Sequence, residues 1–467
     1  MSIAPLSTTD WWGYDVALTA TARNTSNAVV SPTPQLSWTS SSATVATVNS
    51  AGLVTLNRQG TATISAETAT GVLGSATVIA RGFADLGSSE LDNQCVISND
   101  RLQILCWGWS GVSSQPMIPN RRDLGNYAEP TPIRQGAIPV NARIKQVSVS
   151  TSHGCALTEA GQVFCWGDGL WGKLGSGNEN DVTAPVAVVQ GQIPAGVTLT
   201  SIGTAPHHTC ATASDGRIYC WGDGARLPVT GLPLGNSAQV EPLLANLSQV
   251  ATGVSMVAVL PGLNRGWALG DNGRAYVWTS DSRAMTLVEQ GLVPVNVRLV
   301  QISADDQFAC AVGDDGRAYC WGNGFGLRFG DGGDTFRGGL SAPTVVARGA
   351  VPAGVRLVSV TVGGISNASC ALGGDGNIYC WGRGFEGSLG NGNLADNVAL
   401  TPTRVLDGER PTGVMFTHAA CGQYHCTALG DDGRAYTWGY NEGRALARPT
   451  TVRAVAQPTL VTRPNRD

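Results

Sequence analysis

Charge is scarce in this chain: Asp, Glu, Lys and Arg make up 14% of its 467 residues, against roughly a quarter in a typical soluble domain. Lysine is nearly missing, with only Lys145 and Lys173 among 30 basic residues. The formal net charge of −4 gives no overall pull toward nucleic acid or an anionic membrane. No apolar run approaches the roughly 18 residues that cross a bilayer as a helix, so membrane insertion is not expected. The stretch 1–10 has no basic segment leading into an apolar one, and it does not read as a secretory leader. Catalytic strings are missing too: there is no G-x-S-x-G, no phosphate-binding loop and no H-E-x-x-H. The expectation is a protein without catalytic residues, cofactor or metal.

What is abundant points to strands. Glycine contributes 61 residues, tryptophan 13 and cysteine 12, and 42% of the chain is hydrophobic. With Thr, Ser and Val also common, this predicts many short strands and tight turns in a folded chain. A repeat organises them. Cys-Ala-Leu or a close variant, a short turn and then Cys-Trp-Gly recur at 155–167, 210–222, 310–322 and 370–382, with a longer version at 95–108. Two units lack the cysteines but keep the tryptophan, so the anchors are Trp107, Trp166, Trp221, Trp278, Trp321, Trp381 and Trp438. Their spacing is roughly 55 residues, a period that signals a repeat architecture. Asp215-Gly216, Asp315-Gly316, Asp375-Gly376 and Asp432-Gly433 read as hairpin turns between alternating apolar segments. A glycine-rich loop follows each Trp-Gly, then a Pro-led strand (Pro185, Pro343, Pro402), then a strand after Ile193-Pro-Ala-Gly or Val351-Pro-Ala-Gly. About four strands per unit is the content of one propeller blade.

These units resemble the repeats of the regulator of chromosome condensation family. That resemblance implies a seven-bladed β-propeller over 81–467. Unit one shows no Pro-led strand of its own, and a spare one sits at Arg448-Pro449-Thr450-Thr451-Val452; this segment is expected to complete the first blade. Before the propeller, period-two strands around Trp38, Gly52, Gly60 and Gly74 resemble a bacterial immunoglobulin-like domain of group 2 over 14–80, with Trp38 as its core tryptophan and 1–13 as an N-terminal arm. The expected fold class is all-β: an immunoglobulin-like sandwich, then a propeller closed by a C-terminal strand.

In each hairpin the two cysteines fall opposite one another. With the turn centred on residue 160, Cys155 faces Cys165, close to the separation a disulfide needs. The same holds for Cys210 with Cys220, Cys310 with Cys320, Cys370 with Cys380 and, one residue longer, Cys95 with Cys106. Where one cysteine is absent its partner is absent too (Trp267 with Val277, Thr427 with Thr437), as expected of bonded pairs rather than independent packing residues. Cys421 and Cys426 are irregular. Within His418-Ala-Ala-Cys421-Gly-Gln-Tyr-His425-Cys426 a sixth disulfide, free thiols and a two-His, two-Cys metal cluster stay open, although the spacing matches no common zinc module. His153, His208 and His425 share one repeat position and read as structural.

Residues that break the repeat are the better binding candidates. Trp109, Trp171, Phe325, Phe329, Phe336, Phe385 and Tyr440 all fall in the loop after Trp-Gly, which in a propeller emerges on one face, and could form an aromatic interface patch or pack onto their own blades. Trp11 and Trp12 either cap the sandwich or anchor the chain to a neighbour. Eukaryotic members of the resembling family bind chromatin and act on a small GTPase; the cysteine pairs and the acidic charge argue against that role here. Bacterial-type members include a secreted β-lactamase inhibitor. The expected function is a non-enzymatic structural or binding protein on an extracellular surface, chiefly a bacteriophage virion decoration or receptor-binding fibre protein. The alternative is a secreted or cell-surface adhesin or enzyme-inhibitor-type propeller. Its partners would be a protein or surface glycan and not nucleic acid, with self-association possible through the N-terminal domain.

Overall fold

The computed structural model describes all residues except 33, 88–92, 109–126, 233–236, 324–327, 334–338, 365–367, 450 and 465–467. The chain divides into two compact units.

The first unit comprises Met1–Ala84 with Ser98–Asp100 and Asp432–Arg434. A four-stranded sheet runs in the order Ser7–Trp11, Leu73–Arg81, Gly60–Thr68, Leu36–Ser40, beside a three-stranded sheet of Asp15–Ala17, Leu53–Leu56 and Ala46–Val48. Alternation decides which side chains enter the core. Ala62, Ile64 and Ala66 of one strand and Ala76, Val78 and Ala80 of its neighbour pack with Ala46, Val54 and Leu56. Trp38 is half-buried against this core. Its ring lies over Gly52, where an added Cβ would stand 2.8 Å from the indole.

Residues 1–13 are not an arm. Ser2–Ala4 pairs with Thr19–Thr21, and Ser7–Trp11 pairs in parallel with Leu73–Arg81, with Ser7 opposite Thr77. A parallel partner some 70 residues downstream leaves no trace in local periodicity. Trp11 and Trp12 are 4% and 5% exposed. Trp11 packs 5.5 Å from the Phe83 ring, and the Arg434 guanidinium lies 5.0 Å above Trp12.

The second unit is the propeller. Seven four-stranded antiparallel sheets follow one another among the described residues. Blade two is typical: Ile144–Val149, His153–Thr158, Val163–Gly167, Val182–Ala187. The first strands of successive blades lie side by side and line the axis. Gln146 there donates to the Ile202 carbonyl and accepts from its N–H, and the Ser148 and Thr204 hydroxyls meet at 2.9 Å. All seven anchor tryptophans are fully buried. Several lock one blade to the previous one: the indoles of Trp221, Trp381 and Trp438 donate to the carbonyls of Lys173, Arg328 and Ser388 at 2.8–3.0 Å. The Trp-Gly dipeptide has a steric cause. Gly167 has φ 106°, and a Cβ there would stand 2.4 Å from the Ser152 carbonyl oxygen, so no other residue fits.

Ring closure differs from the expectation. The C-terminal strand Ala454–Leu460 pairs with Ala435–Tyr440 and completes blade seven, not blade one. Blade one has its own outer strand, Tyr127–Pro132, with Thr131 opposite Cys106. Pro458-Thr459 is the true counterpart of Pro402-Thr403: Thr459 faces Thr437 as Thr403 faces Cys380. Pro449 lies outside any strand, its carbonyl accepting the Val452 N–H. The strands after the Pro-Ala-Gly linkers open the next blade rather than ending their own. Among the described residues no strand is exchanged, and blades one and seven meet through side chains. The Trp107 indole donates to the Ala445 carbonyl at 2.9 Å, and the Thr462 hydroxyl to the Ala128 carbonyl at 3.2 Å.

Candidate functional site: the cystine ladder and an aromatic cluster on blades six and seven

Five blades carry a cystine between their second and third strands. Cys95 faces Cys106, Cys155 faces Cys165, Cys210 faces Cys220, Cys310 faces Cys320 and Cys370 faces Cys380, each pair bonded with Cα atoms 4.0–4.1 Å apart. The sixth, Cys421–Cys426, joins the first and second strands of blade seven instead. No cysteine is free, and the sulfurs are buried.

The hairpin aspartates do two jobs. Asp315 accepts the Arg317 N–H, which closes the turn, and the Tyr319 hydroxyl at 2.6 Å; Asp215 with Tyr219 and Asp375 with Tyr379 repeat the arrangement. Burial, with the carboxylate as second cause, pushes the Tyr219 hydroxyl up to about 12. The same causes raise Tyr319 and Tyr379.

The repeated histidines are buried and held neutral. His153 bonds the Ser150 hydroxyl through Nδ1 and the Thr209 hydroxyl through Nε2. Burial, followed by the charge of Lys173, depresses it well below its ordinary value. Burial brings His208 to about 3 and His425 to about 4. Lys173, one of the two lysines, is itself buried and donates to Asp168 at 2.6 Å and to the Ser152 hydroxyl at 2.9 Å. Burial raises the Asp168 carboxyl, but its bonds, chiefly from Lys173, bring it below the usual range. The neutral His153 imidazole and the paired lysine tie neighbouring strands together, whereas His208 and His425 fill their sites without a hydrogen bond to either ring nitrogen.

The aromatic candidates separate into groups. Trp109, Phe325 and Phe336 lie outside the described residues. Phe329, like Trp11 and Trp12, is buried: it is 4% exposed and packs 5.7 Å from Phe308. These three side chains serve cores rather than a binding surface. Trp171 is half-buried at φ 68°, in a short 3-10 turn where its N–H donates to Glu179. Leu170 beside it is 49% exposed. Phe385 and Tyr440 come together with a third ring, Tyr424, which was not among the candidates. Centroid distances are 5.1 Å for Phe385–Tyr424, 6.1 Å for Phe385–Tyr440 and 6.2 Å for Tyr424–Tyr440. All three are half-buried. Two ion pairs flank them: Arg453, 5.9 Å from the Tyr440 ring, with Glu386, and Arg383 with Asp396. Tyr424 sits in the turn between the first two strands of its blade. In an up-and-down sheet that turn opens at the same end as the loop after Trp-Gly, a signal that the sequence did contain.

Comparison with known proteins follows this architecture. The model of the regulator of chromosome condensation (RCC1) repeat matches residues 160–212 and 375–429, and a second RCC1 model matches 144–170 and 416–443. The chain carries RCC1 repeats. The intimin immunoglobulin-like domain model matches 33–70, within the sandwich. The ultraviolet-B receptor UVR8 of Arabidopsis thaliana is 28% identical over 308 residues, 63% of this chain and 65% of its own length. RUG3, a mitochondrial RCC1 domain-containing protein of the same plant, is 27% identical over 77% of this chain and 72% of its own. The E3 ubiquitin-protein ligase HERC2 of Homo sapiens is 27% identical over 70% of this chain. The chain spans 6% of HERC2 and just under two thirds of UVR8. Among solved structures, human WBSCR16 superposes with TM-score 0.63 at 18% identity, covering 77% of this chain and 94% of that one. Prp20p of Saccharomyces cerevisiae superposes with TM-score 0.59 at 19% identity, covering 82% and 87%. At such identities the likeness concerns the fold alone. RCC1-type propellers are in general binding or regulatory rather than catalytic.

Proposed function

We propose that this chain is a non-catalytic binding protein displayed on an extracellular surface, with the propeller presenting the Phe385–Tyr424–Tyr440 cluster to a protein or surface-glycan partner. The observation that carries the reading is the cystine ladder, which spans all blades but one and persists only in oxidising surroundings. The match of the sandwich to an intimin immunoglobulin-like domain supports display, and half-buried rings rimmed by ion pairs have the composition of a protein interface. Prp20p has binding properties toward Gsp1p and histones. A net charge of −4 favours a different partner here. The surface we favour is the exterior of a bacteriophage particle, where the chain would act as a decoration or receptor-binding fibre protein.

Purified particles, culture medium and intact cells from the source are probed with an antibody to the sandwich. Signal on particles supports the virion setting; signal confined to medium or cells supports a secreted or cell-surface adhesin or inhibitor; signal confined to the cytosol removes the display reading. Target cells are then titrated with wild type and Tyr424→Ala. Binding should fall at least tenfold with the fold intact, and it should change little with salt, unlike nucleic-acid binding.

A further inference from the structure

We infer that the four sulfurs of Cys370, Cys380, Cys421 and Cys426, which form two disulfides in the oxidised chain, form a tetrahedral zinc site before oxidation. The displaced cystine of blade seven is the starting point. Thr427 and Thr437 occupy the ladder position that holds a cystine in blade six, and the cysteine has moved one residue back, to Cys426. Successive side chains on a strand point to opposite faces, so this step turns the sulfur away from the Thr427 side. Cys370 meets it there. Its Sγ lies 3.9 Å from that of Cys426, and the sulfurs of Cys370, Cys421 and Cys426 all lie within 4.8 Å of one another. Cys380, bonded to Cys370, would supply the fourth sulfur; it stands outside that group of three and joins it only once its bond to Cys370 opens. All four residues belong to one buried cluster between blades six and seven. Among the described residues no other group of three cysteine, histidine or carboxylate ligands gathers in this way.

The spacing suits the metal. A zinc ion with four thiolates at about 2.3 Å holds neighbouring sulfurs about 3.8 Å apart, close to the Cys370–Cys426 separation already present. The two bonded pairs open from covalent contact to that distance, and the Cys380 sulfur swings toward Cys421 and Cys426 to complete the tetrahedron. The histidines of the two-His, two-Cys alternative have no part: neither is among the gathered ligand atoms, and the His418 ring lies 3.8 Å from Asp85.

The chemistry balances. A chain folding in a reducing cytosol holds four thiols here. Binding one Zn²⁺ releases four protons and leaves four thiolates on the ion. When a disulfide oxidant is met, thiol–disulfide exchange forms Cys370–Cys380 and Cys421–Cys426. The four thiolates give up four electrons to two equivalents of the external disulfide, two protein disulfides form, four thiolates of the oxidant are released, and Zn²⁺ leaves. The metal thus holds blades six and seven together until the cystines do.

The full chain is unfolded with a phosphine reductant, refolded anaerobically with Co²⁺ or Zn²⁺, and checked by circular dichroism. We expect one ion per chain, with the thiolate charge-transfer absorption of a four-sulfur cobalt site, and stoichiometric release on adding oxidised glutathione. Cys421→Ser/Cys426→Ser should lower retained metal at least tenfold, Cys380→Ser should weaken the charge-transfer band, and Cys155→Ser/Cys165→Ser should keep the full band. Failure of the reduced wild type to fold with zinc present, a folded chain without metal, or equal loss in the blade-two control would each overturn the site.

Discussion

Blades four and five carry the same hairpin ladder and fill its central pair with different chemistry. In blade five Cys310 and Cys320 are covalently joined. In blade four the same register sets Trp267 against Val277. Trp267 is 3% exposed, stacks edge-on to the Trp321 ring at 5.9 Å and donates its indole N–H to the Asp305 carbonyl at 3.0 Å. Blade seven gives a third solution, Thr427 opposite Thr437, with the Thr437 hydroxyl donating to the Leu446 carbonyl. The same position accepts a cystine, a tryptophan–valine pair or two threonines. A covalent tie acts mainly by restricting the unfolded chain, whereas a large ring acts by packing in the folded one. Blades four and five thus reach the same geometry from opposite ends of the folding equilibrium.

The sharpest way to break this comparison is to remove the ring. Trp267→Ala empties a buried site with no cystine behind it and should destabilise the propeller by about 3–5 kcal/mol, the range for large core aromatics. Urea unfolding monitored by circular dichroism measures it. A loss below about 1 kcal/mol would show that blade four does not depend on the ring. Cys310→Ala/Cys320→Ala in blade five should cost less, about 2–3 kcal/mol, given the short loop that the bond closes. Reductant, which can open all six cystines, should cost the wild type more than that but leave the incremental effect of Trp267→Ala unchanged.

Much of this ladder was legible because its determinants are local. The separation of ten residues sets Cys155 opposite Cys165 once Gly161 marks the turn, and the Trp-Gly dipeptide announces the crowded backbone at the start of the loop. What was misread depended on distant or competing signals. Pro449 and Pro458 are both followed by threonine, and only pairing with Thr437 singles out the second. The strand Ser7–Trp11 owes its place to Leu73–Arg81, and no short-range pattern records that. In the aromatic cluster Phe385 and Tyr440 were visible as departures from the repeat. Tyr424 was not, because it sits beside the repeat histidine in a turn assigned to structure.

The histidine-bearing blades offer a smaller contrast, one that pH controls. Blade three has His208 where blade five has Phe308; each opens the second strand, opposite the glycine of Trp-Gly. An unfolded histidine takes a proton near 6.5, whereas buried His208 does so only near 3 and His425 near 4. Below pH 6.5 the unfolded chain therefore binds more protons, and stability falls as pH falls toward those folded values; above 6.5 the contribution is complete and constant. Each such histidine adds a slope of up to about 1.4 kcal/mol per pH unit. His208→Phe, borrowing the residue of blade five, should flatten the loss between pH 6 and 4 by up to that amount per unit and change little at pH 8. Denaturant midpoints across that range decide it, and an unchanged acid slope would count against the neutral buried imidazole.

The smallest effect concerns the turn, where blade two already contains the experiment. Its hairpin has Ala160 and Phe164 at the places of Asp315 and Tyr319, so carboxylate and hydroxyl are lost together. Tyr319→Phe alone removes a 2.6 Å hydrogen bond to a carboxylate that keeps its Arg317 N–H but loses its second donor. A cost of about 1–2 kcal/mol is expected. Asp315→Ala alone gives up both bonds, including the one that closes the turn, and leaves the tyrosine hydroxyl to water. The double change Asp315→Ala/Tyr319→Phe recreates blade two and should cost less than the sum of the two, with a coupling of about 1 kcal/mol. Strict additivity would mean that the pair contributes nothing as a pair. The joint absence in blade two would then reflect separate packing needs of Ala160 and Phe164.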